Sequence, residues 1–462
     1  MDNKVVFKKE LIRRYDTFGP RYTSYPTAVQ FSTDYGIEDY INWAKQSNED
    51  PIPAPLSLYL HIPFCDTICY YCGCSKVITK DKSKATRYIK LLKKEIELQG
   101  ALFADDRTVT QIHWGGGTPT FLSDKEIYEI IECIRENFSV PASGEVEFGI
   151  EVDPRTVDQT RLKNLSNMGF NRISFGVQDF DPCVQKSVNR VQSTQQIKQH
   201  IHDARALNYQ SINIDLMYGL PNQMVHSFQK TLDTTIALSP DRIAIYNYAH
   251  LPEMFKPQRR INEDDLPTAE EKLSILQLCI DTLQDSGYVY IGMDHFAKES
   301  DALVQAQREG SLQRNFQGYS TNANCDMVAM GITAIGRIGD NYSQNVRTID
   351  EYEALLKKNI IPVFRGIELE DDDILRREII NQLMCNNTLD IKKLEEKWDI
   401  NFKSYFQSSL DNLQKMAADG LLKISDSTLS ITNTGRLLSR SICMQFDRYL
   451  QEKNTGQFSR VI

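Results

Sequence analysis

The chain has 462 residues, 41% of them hydrophobic, and a formal net charge of −9 from 53 Lys and Arg against 62 Asp and Glu. That length predicts one large domain with at least one smaller companion. The acidic balance speaks against a main role in binding nucleic acid or an anionic membrane surface. The charged start, MDNKVVFKKELIRRYD, lacks the apolar core of a signal peptide, and the most apolar internal run, 327–335, is far too short to span a bilayer. A soluble, cytoplasmic and monomeric protein is expected.

The first segment, 1–50, reads as an N-terminal arm. Its GPRYTSYPT stretch, with two prolines and two tyrosines, suits an extended packed segment better than a helix. Within 51–364, β-rich runs alternate with segments of helical period. The strand candidates are SLYLHIP, QIHWGG, VEFGIEV, RISFGV, INIDLMYG, RIAIYNY and YVYIGMD; the helix candidates lie near 84–104, 124–137, 158–168, 194–207, 226–238 and 267–286. Such alternation predicts parallel strands with crossover helices. Alternation alone leaves open whether the sheet curls or stays doubly wound. Candidate site residues at the ends of many strands favour an α/β fold of incomplete parallel (β/α) barrel type. From 365 to 462 the pattern changes to helices near 371–385, 389–397 and 402–418, a hairpin in LLKISDSTLSIT and a last helix near 433–450. This predicts a mainly helical domain covering the substrate site.

Ten cysteines could suggest a disulfide framework, but four fall within ten residues, Cys65, Cys69, Cys72 and Cys74 in HIPFCDTICYYCGC, which points to metal chemistry. The spacing C-x3-C-x2-C puts three thiolates on one loop just after a predicted strand. Three thiolates hold three irons of a cubane cluster and leave the fourth open to a cofactor. That iron can chelate the amino and carboxylate groups of S-adenosylmethionine and pass an electron to its sulfonium. The alternative is a structural zinc held by all four cysteines, although such sites commonly pair two distant knuckles. His61 reads as a packed structural residue.

GGGTPT, 115–120, follows the strand QIHW; consecutive glycines let a ligand approach main-chain N–H groups, which suits the ends of a bound amino acid, or they mark a tight turn. Glu151 and Gln178 fall at strand ends, where caps are also common. Asp215, on a following strand, suits ribose hydroxyls, and Arg190 stands between. Each alone is more often a salt-bridge member than a ligand.

With the cysteine loop, GGGTPT, IEVDPR, GVQDF, VNR, NIDLMYGLP, YNYAHLP, GMDHFA, NFQGY and QFSRVI in this order, the chain resembles the bacterial oxygen-independent coproporphyrinogen III oxidases over nearly its full length. The resemblance implies that Cys65, Cys69 and Cys72 ligate one 4Fe–4S cluster. Tyr59, Gly116, Glu151 and Ile335 match positions lining the first S-adenosylmethionine. Tyr71, Gly117, Thr118, Gln178, Arg190, Asp215 and Ala249 match those of a second S-adenosylmethionine, Tyr71 departing slightly where an aromatic without a hydroxyl also occurs. Cys74, Phe316 and Gln317 match positions near the reacting centre. Cys74 also separates this family from a related haem-chaperone branch, which carries an aromatic there. The implied reaction is radical decarboxylation of the ring A and B propionates of coproporphyrinogen III, with an electron donor such as a flavodoxin or ferredoxin. The competing readings are a haem-binding chaperone on the same barrel and, from the helix–helix–wing tail, a nucleic-acid module; the acidic total opposes the latter.

Overall fold

The computed structural model describes residues 4–142, 144–322, 324–452 and 460, so the QFSRVI motif lies, apart from Arg460, outside the described residues. The chain divides into two compact units. One takes 31–267 and 324–368; the other takes 1–30, 268–323 and 369–462. The units thus cut across the arm, barrel and tail anticipated along the chain.

In the first unit, six strands follow one another as β1 (Leu56–Ile62), β2 (Val109–Gly116), β3 (Glu147–Val152), β4 (Arg172–Gln178), β5 (Ser211–Tyr218) and β6 (Arg242–Asn247). Each pairs in parallel with the next. Sheet growth never reverses over these strands, which is the winding of a barrel; a doubly wound fold has a switch point. β7 (Asp326–Met330) adds in parallel to the other side of β1, and β8 (Ile335–Ile338), β9 (Asn341–Asn345) and β10 (Val363–Glu368) continue antiparallel beyond it. Because β6 and β7 are not neighbours in the sheet order, the barrel is incomplete. Of these four strands the sequence had marked only the apolar run 327–335, which holds most of β7 and the first residue of β8; β9 and β10 were not expected.

Helices α1 (Ser83–Gly100), α2 (Asp124–Asn137), α3 (Gln159–Met168), α4 (Thr194–Ala206) and α5 (Val225–Leu238) form the crossovers. Their boundaries follow from local chemistry. Ser123 and Glu126 close a capping box on α2, Asp158 and Ser193 cap α3 and α4, and Gly169 takes the left-handed turn that ends α3. In α1 the buried stripe Ala85, Tyr88, Ile89, Leu92, Ile96 includes one carboxylate, Glu95. Gly331 N–H (2.8 Å), Asn345 Nδ2 (2.7 Å) and the Tyr352 hydroxyl all donate to it. Burial raises its pKa to about 7 against those bonds.

In the second unit the helices Asp371–Asn386, Ile391–Trp398 and Gln407–Ala418 pack with the hairpin Leu422–Ile424 and Thr428–Ile431, to which Thr388–Asp390 adds a short third strand. One core holds Leu375, Ile379 and Leu383 together with Ile291, Leu303 and the arm's Tyr22 and Tyr25. The strand Tyr288–Gly292, expected as a further parallel strand, turns back antiparallel onto His295–Lys298. The single helix expected near 433–450 is broken into Gly435–Leu438, Ser439–Cys443, Met444–Phe446 and Arg448–Glu452. The last break is local: extended Asp447 caps Tyr449 N–H while accepting from the Tyr22 hydroxyl at 2.9 Å. Among the described residues, no helix is long and apolar enough to cross a membrane.

Candidate functional site

Residues i and i+2 of a strand share a face, and here the two faces differ in kind. Toward the helices point Leu58, Leu60 and Ile62 of β1, Ile173, Phe175 and Val177 of β4, and Ile212, Ile214 and Leu216 of β5, all buried. The inner face carries Tyr59 and His61, His113 and Gly115, Glu151, Ser174 and Gln178, and Asn213 and Asp215. A barrel of this kind commonly fills its interior with branched apolar side chains. A polar interior costs stability unless the groups bond one another or a ligand.

Much of that face is satisfied internally. Tyr59 stacks on His113, and its hydroxyl lies 3.2 Å from His61 Nδ1. His113 Nε2 stands 3.3 Å from Glu151 Oε1. Ser174 Oγ and Asn213 Nδ2 donate to Asp215 at 2.9 and 2.8 Å. Burial, and then the charge of Glu151, raises Asp215 to about 6. Among the described residues, Glu151 accepts at one oxygen only, and Gln178 Oε1 is buried without a partner, on a residue held at φ +70°. An orphaned buried acceptor at a strand end is what a bound ligand would satisfy.

The cysteine loop leaves the end of β1. Phe64–Cys65 pairs with Val77–Ile78, which closes the loop at its base. Asn189 Nδ2 donates to the Ile68 carbonyl (2.7 Å), Tyr70 N–H to that of Val188 (3.0 Å) and Lys76 Nζ to that of Cys72 (2.9 Å). Beneath the loop, Cys69 and Tyr71 join an apolar cluster with Val184, Val188, Leu220, Tyr248 and Ile261. The three prospective ligands sit in unlike surroundings. Burial pushes the Cys65 thiol up to about 11, while the Cys74 thiol donating to Cys72, and then Lys76, bring Cys72 down to about 5. Cys69 Sγ faces Arg155 Nη2 at 3.6 Å and Arg190 Nη1 at 3.4 Å. Among the described residues, no three His, Cys, Asp or Glu side chains converge as ligands of a single ion do. A cubane offers a separate iron to each thiolate.

The glycines answer to close packing. A Cβ on Gly115 would lie 3.0 Å from the Glu151 carboxylate, on Gly116 2.7 Å from His61, and on Gly117 2.7 Å from the Pro63 carbonyl carbon. Gly116 also has φ +110°. The expectation that this run offers its N–H groups to a ligand is corrected at two positions. Gly117 N–H donates to the Ile62 carbonyl (2.8 Å) and Thr118 N–H to that of Phe64 (2.9 Å), which seats the loop on β2. Thr118 Oγ1 lies 3.4 Å from Cys65 Sγ.

The register Met327↔Arg337 sets Ile335 level with Ala329, the partner of Tyr59, so Ile335 continues the same face. Ala249 follows β6 and accepts at its carbonyl from Gln258 Nε2 at 3.2 Å. Arg190 is already committed to Gly176, Asp153 and Cys69. Phe316 and Gln317 belong to the other unit, in the turn between Gln313–Asn315 and Gly318–Ser320. Sequence reasoning missed His113, Asp153 and Arg155. His113 was open to discovery, because in QIHWGG it stands two residues before Gly115 and so shares its face. The pairing of Arg155 with a cysteine 86 positions away left no local trace.

A model of the Radical SAM superfamily matches residues 59–235, and one of the HemN C-terminal domain matches 369–438. An oxygen-independent coproporphyrinogen III oxidase of Pseudomonas aeruginosa is 49% identical over 453 residues, 98% of this chain and 98% of that protein. One from Escherichia coli is 47% identical with the same coverage. A solved structure described as coproporphyrinogen III oxidase (HemN) from Escherichia coli, a Radical SAM enzyme, matches with a TM-score of 0.91 and 44% identity, over 97% of this chain and 100% of that one.

Proposed function

Because the chain belongs to the oxygen-independent coproporphyrinogen III oxidases, Radical SAM enzymes, we propose that it converts the ring A and B propionates of coproporphyrinogen III to vinyl groups in haem biosynthesis, giving protoporphyrinogen IX. One observation carries the reading: a three-cysteine loop is seated at the strand ends beside a polar inner face that keeps an unpartnered acceptor, Gln178 Oε1. Bound cluster and S-adenosylmethionine supply a 5′-deoxyadenosyl radical as the hydrogen-abstracting agent. Each vinyl group then forms with loss of one hydrogen atom, carbon dioxide and one electron.

The chain's own residues bind and orient. Cys65, Cys69 and Cys72 hold the cluster. Glu151, with one open oxygen, accepts from the ammonium group of the first S-adenosylmethionine, and Tyr59, Gly116 and Ile335 wall that site. Gln178, Asp215, Tyr71, Gly117, Thr118 and Ala249 are assigned to a second S-adenosylmethionine. Arg190 keeps its bonds to Gly176, Asp153 and Cys69 and has one further guanidinium N–H to offer that site. Cys74, Phe316 and Gln317 are assigned to the substrate. A flavodoxin or ferredoxin in the cytoplasm is the assigned electron source.

Anaerobic incubation of reduced, reconstituted protein with coproporphyrinogen III tests the proposal. Protoporphyrinogen IX is expected, and stable haem binding without decarboxylation would favour a chaperone. The reconstituted protein is expected to hold iron and sulfide in near-equal amounts. Stoichiometric zinc without sulfide would reject the radical reading. Glu151→Gln removes a charge-assisted bond worth about 1.5–3 kcal/mol, so S-adenosylmethionine should bind about ten- to a hundredfold more weakly in anaerobic calorimetry. Unchanged affinity would remove Glu151 from the site.

A further inference from the structure

Asp153, Arg155 and Arg190 form a compact ionic group against Cys69. Asp153 Oδ2 accepts from Arg155 Nη2 at 2.6 Å and from Arg190 Nη1 at 3.0 Å. The same two guanidinium nitrogens point at Cys69 Sγ, at 3.6 and 3.4 Å. Cys69, Asp153 and Arg190 are each at most 9% exposed. Two cations against one carboxylate leave a net positive charge facing the sulfur, and in such a setting each charge-assisted bond acts more strongly than in water.

The group is also held still. Asp153 caps the turn Pro154–Thr156 through Arg155 N–H. His200 Nε2 lies 3.0 Å from the Pro154 carbonyl, and Gln196 Nε2 donates to it at 3.3 Å. Thr156 Oγ1 meets Thr120 Oγ1 at 2.6 Å, and Arg190 Nε donates to the Gly176 carbonyl at 3.1 Å. Cys65, by comparison, has a single hydroxyl, that of Thr118, at hydrogen-bond distance.

We propose that Arg155, acting with Arg190, is a positioning residue that hydrogen-bonds the Cys69 sulfur of the cluster and raises the potential at which the cluster accepts its electron. The inference rests on Cys69 being a cluster ligand. Reduction adds one negative charge to the cluster and changes no bond; the electron comes from a low-potential one-electron carrier. Donors aimed at a ligand sulfur stabilise the reduced form more than the oxidised one, and hydrogen bonding to the sulfurs is among the levers that set such potentials. Asp153 opposes the effect by neutralising one cation while holding both guanidinium groups in place.

The test is a redox titration of full-length, reconstituted protein followed by electron paramagnetic resonance, with iron content and circular dichroism confirming a folded, fully loaded sample. Arg155→Met is expected to lower the reduced-to-oxidised ratio at fixed potential about tenfold, a shift of about 59 mV for one electron. Asp153→Asn should move it the opposite way. Opposite signs cannot come from simple loosening of the turn. A wild-type potential in Arg155→Met, or a shift in the same direction for both variants, would overturn the proposal. Should Asp153→Asn fail to fold, Arg155→Lys replaces it: a potential between wild type and Arg155→Met supports a charge effect, and one equal to Arg155→Met overturns it. Cys69→Ser separates the two levels. Full iron in Cys69→Ser would remove Cys69 as a ligand and the premise with it, whereas iron loss there beside an unshifted Arg155→Met would sink only this inference.

Discussion

Cys74→Ser is expected to keep iron, sulfide and the first S-adenosylmethionine, yet to lose conversion of coproporphyrinogen III by at least about a hundredfold, the low end of what a positioned proton donor supplies. Cys72→Ser should lose the cluster and all turnover. The two residues are separated by one glycine, so the contrast divides cluster assembly from catalysis within one loop. Three thiolates complete the protein's share of a cubane, and a fourth would block the iron that the cofactor needs. The structure adds a reason for assembly to survive. The Cys74 side chain donates to Cys72, which a serine hydroxyl can still do, and the Lys76 anchor uses the Cys74 carbonyl, which the substitution leaves in place. Iron and sulfide analysis beside an anaerobic turnover assay decides it. Iron loss in Cys74→Ser matching that of Cys72→Ser would mean the wrong ligands; retained turnover would mean a merely packed thiol.

The second large effect is on stability and lies at Glu95. Glu95→Ala strands the Gly331 N–H, the Asn345 amide and the Tyr352 hydroxyl inside the unit, and a loss of about 3–5 kcal/mol is expected in chemical denaturation. Glu95→Gln should behave differently with pH. The folded-state pKa is raised, from 4.5 to about 7, so the carboxyl contributes fully below pH 4.5 and that contribution is lost as pH rises through 7. The rise corresponds to about 3 kcal/mol. Stability of the wild type relative to Glu95→Gln should therefore fall by that order between pH 4.5 and 7. Parallel pH profiles would show that folding does not shift the Glu95 carboxyl. The buried Trp114 supplies a fluorescence signal for this unit.

Much of the site was legible in the chain itself because its information is local. The loop spacing of Cys65, Cys69 and Cys72 needs no partner to declare its chemistry, and the strands carrying Tyr59, Glu151 and Asp215 announce themselves by alternation. The same alternation contained a signal that went unread: the polar members of successive strands share one face, which makes His113 a neighbour of Tyr59 and Glu151. The glycine run falls at the end of β2, and its N–H groups at 117 and 118 serve the loop's own backbone, since only folding brings the Ile62 and Phe64 carbonyls beside them.

What the amino-acid order determined alone was therefore the spacing of the cysteine loop, the parallel β/α succession from β1 to β6 and the helix boundaries set by Ser123, Asp158, Ser193 and Gly169, each written in local sequence. Tertiary structure decided which distant segments share a core, so that 268–323 joins the tail and the arm while 324–368 returns to extend the sheet beside β1. It also decided which side chains meet at Cys69 and at Glu95, with partners separated by 86 and by up to 257 positions. Periodicity reports which face of an element is apolar, but two apolar faces attract without direction or address; the partner is chosen by packing and by the need to satisfy each buried polar group, and both become defined only when the whole chain is in place.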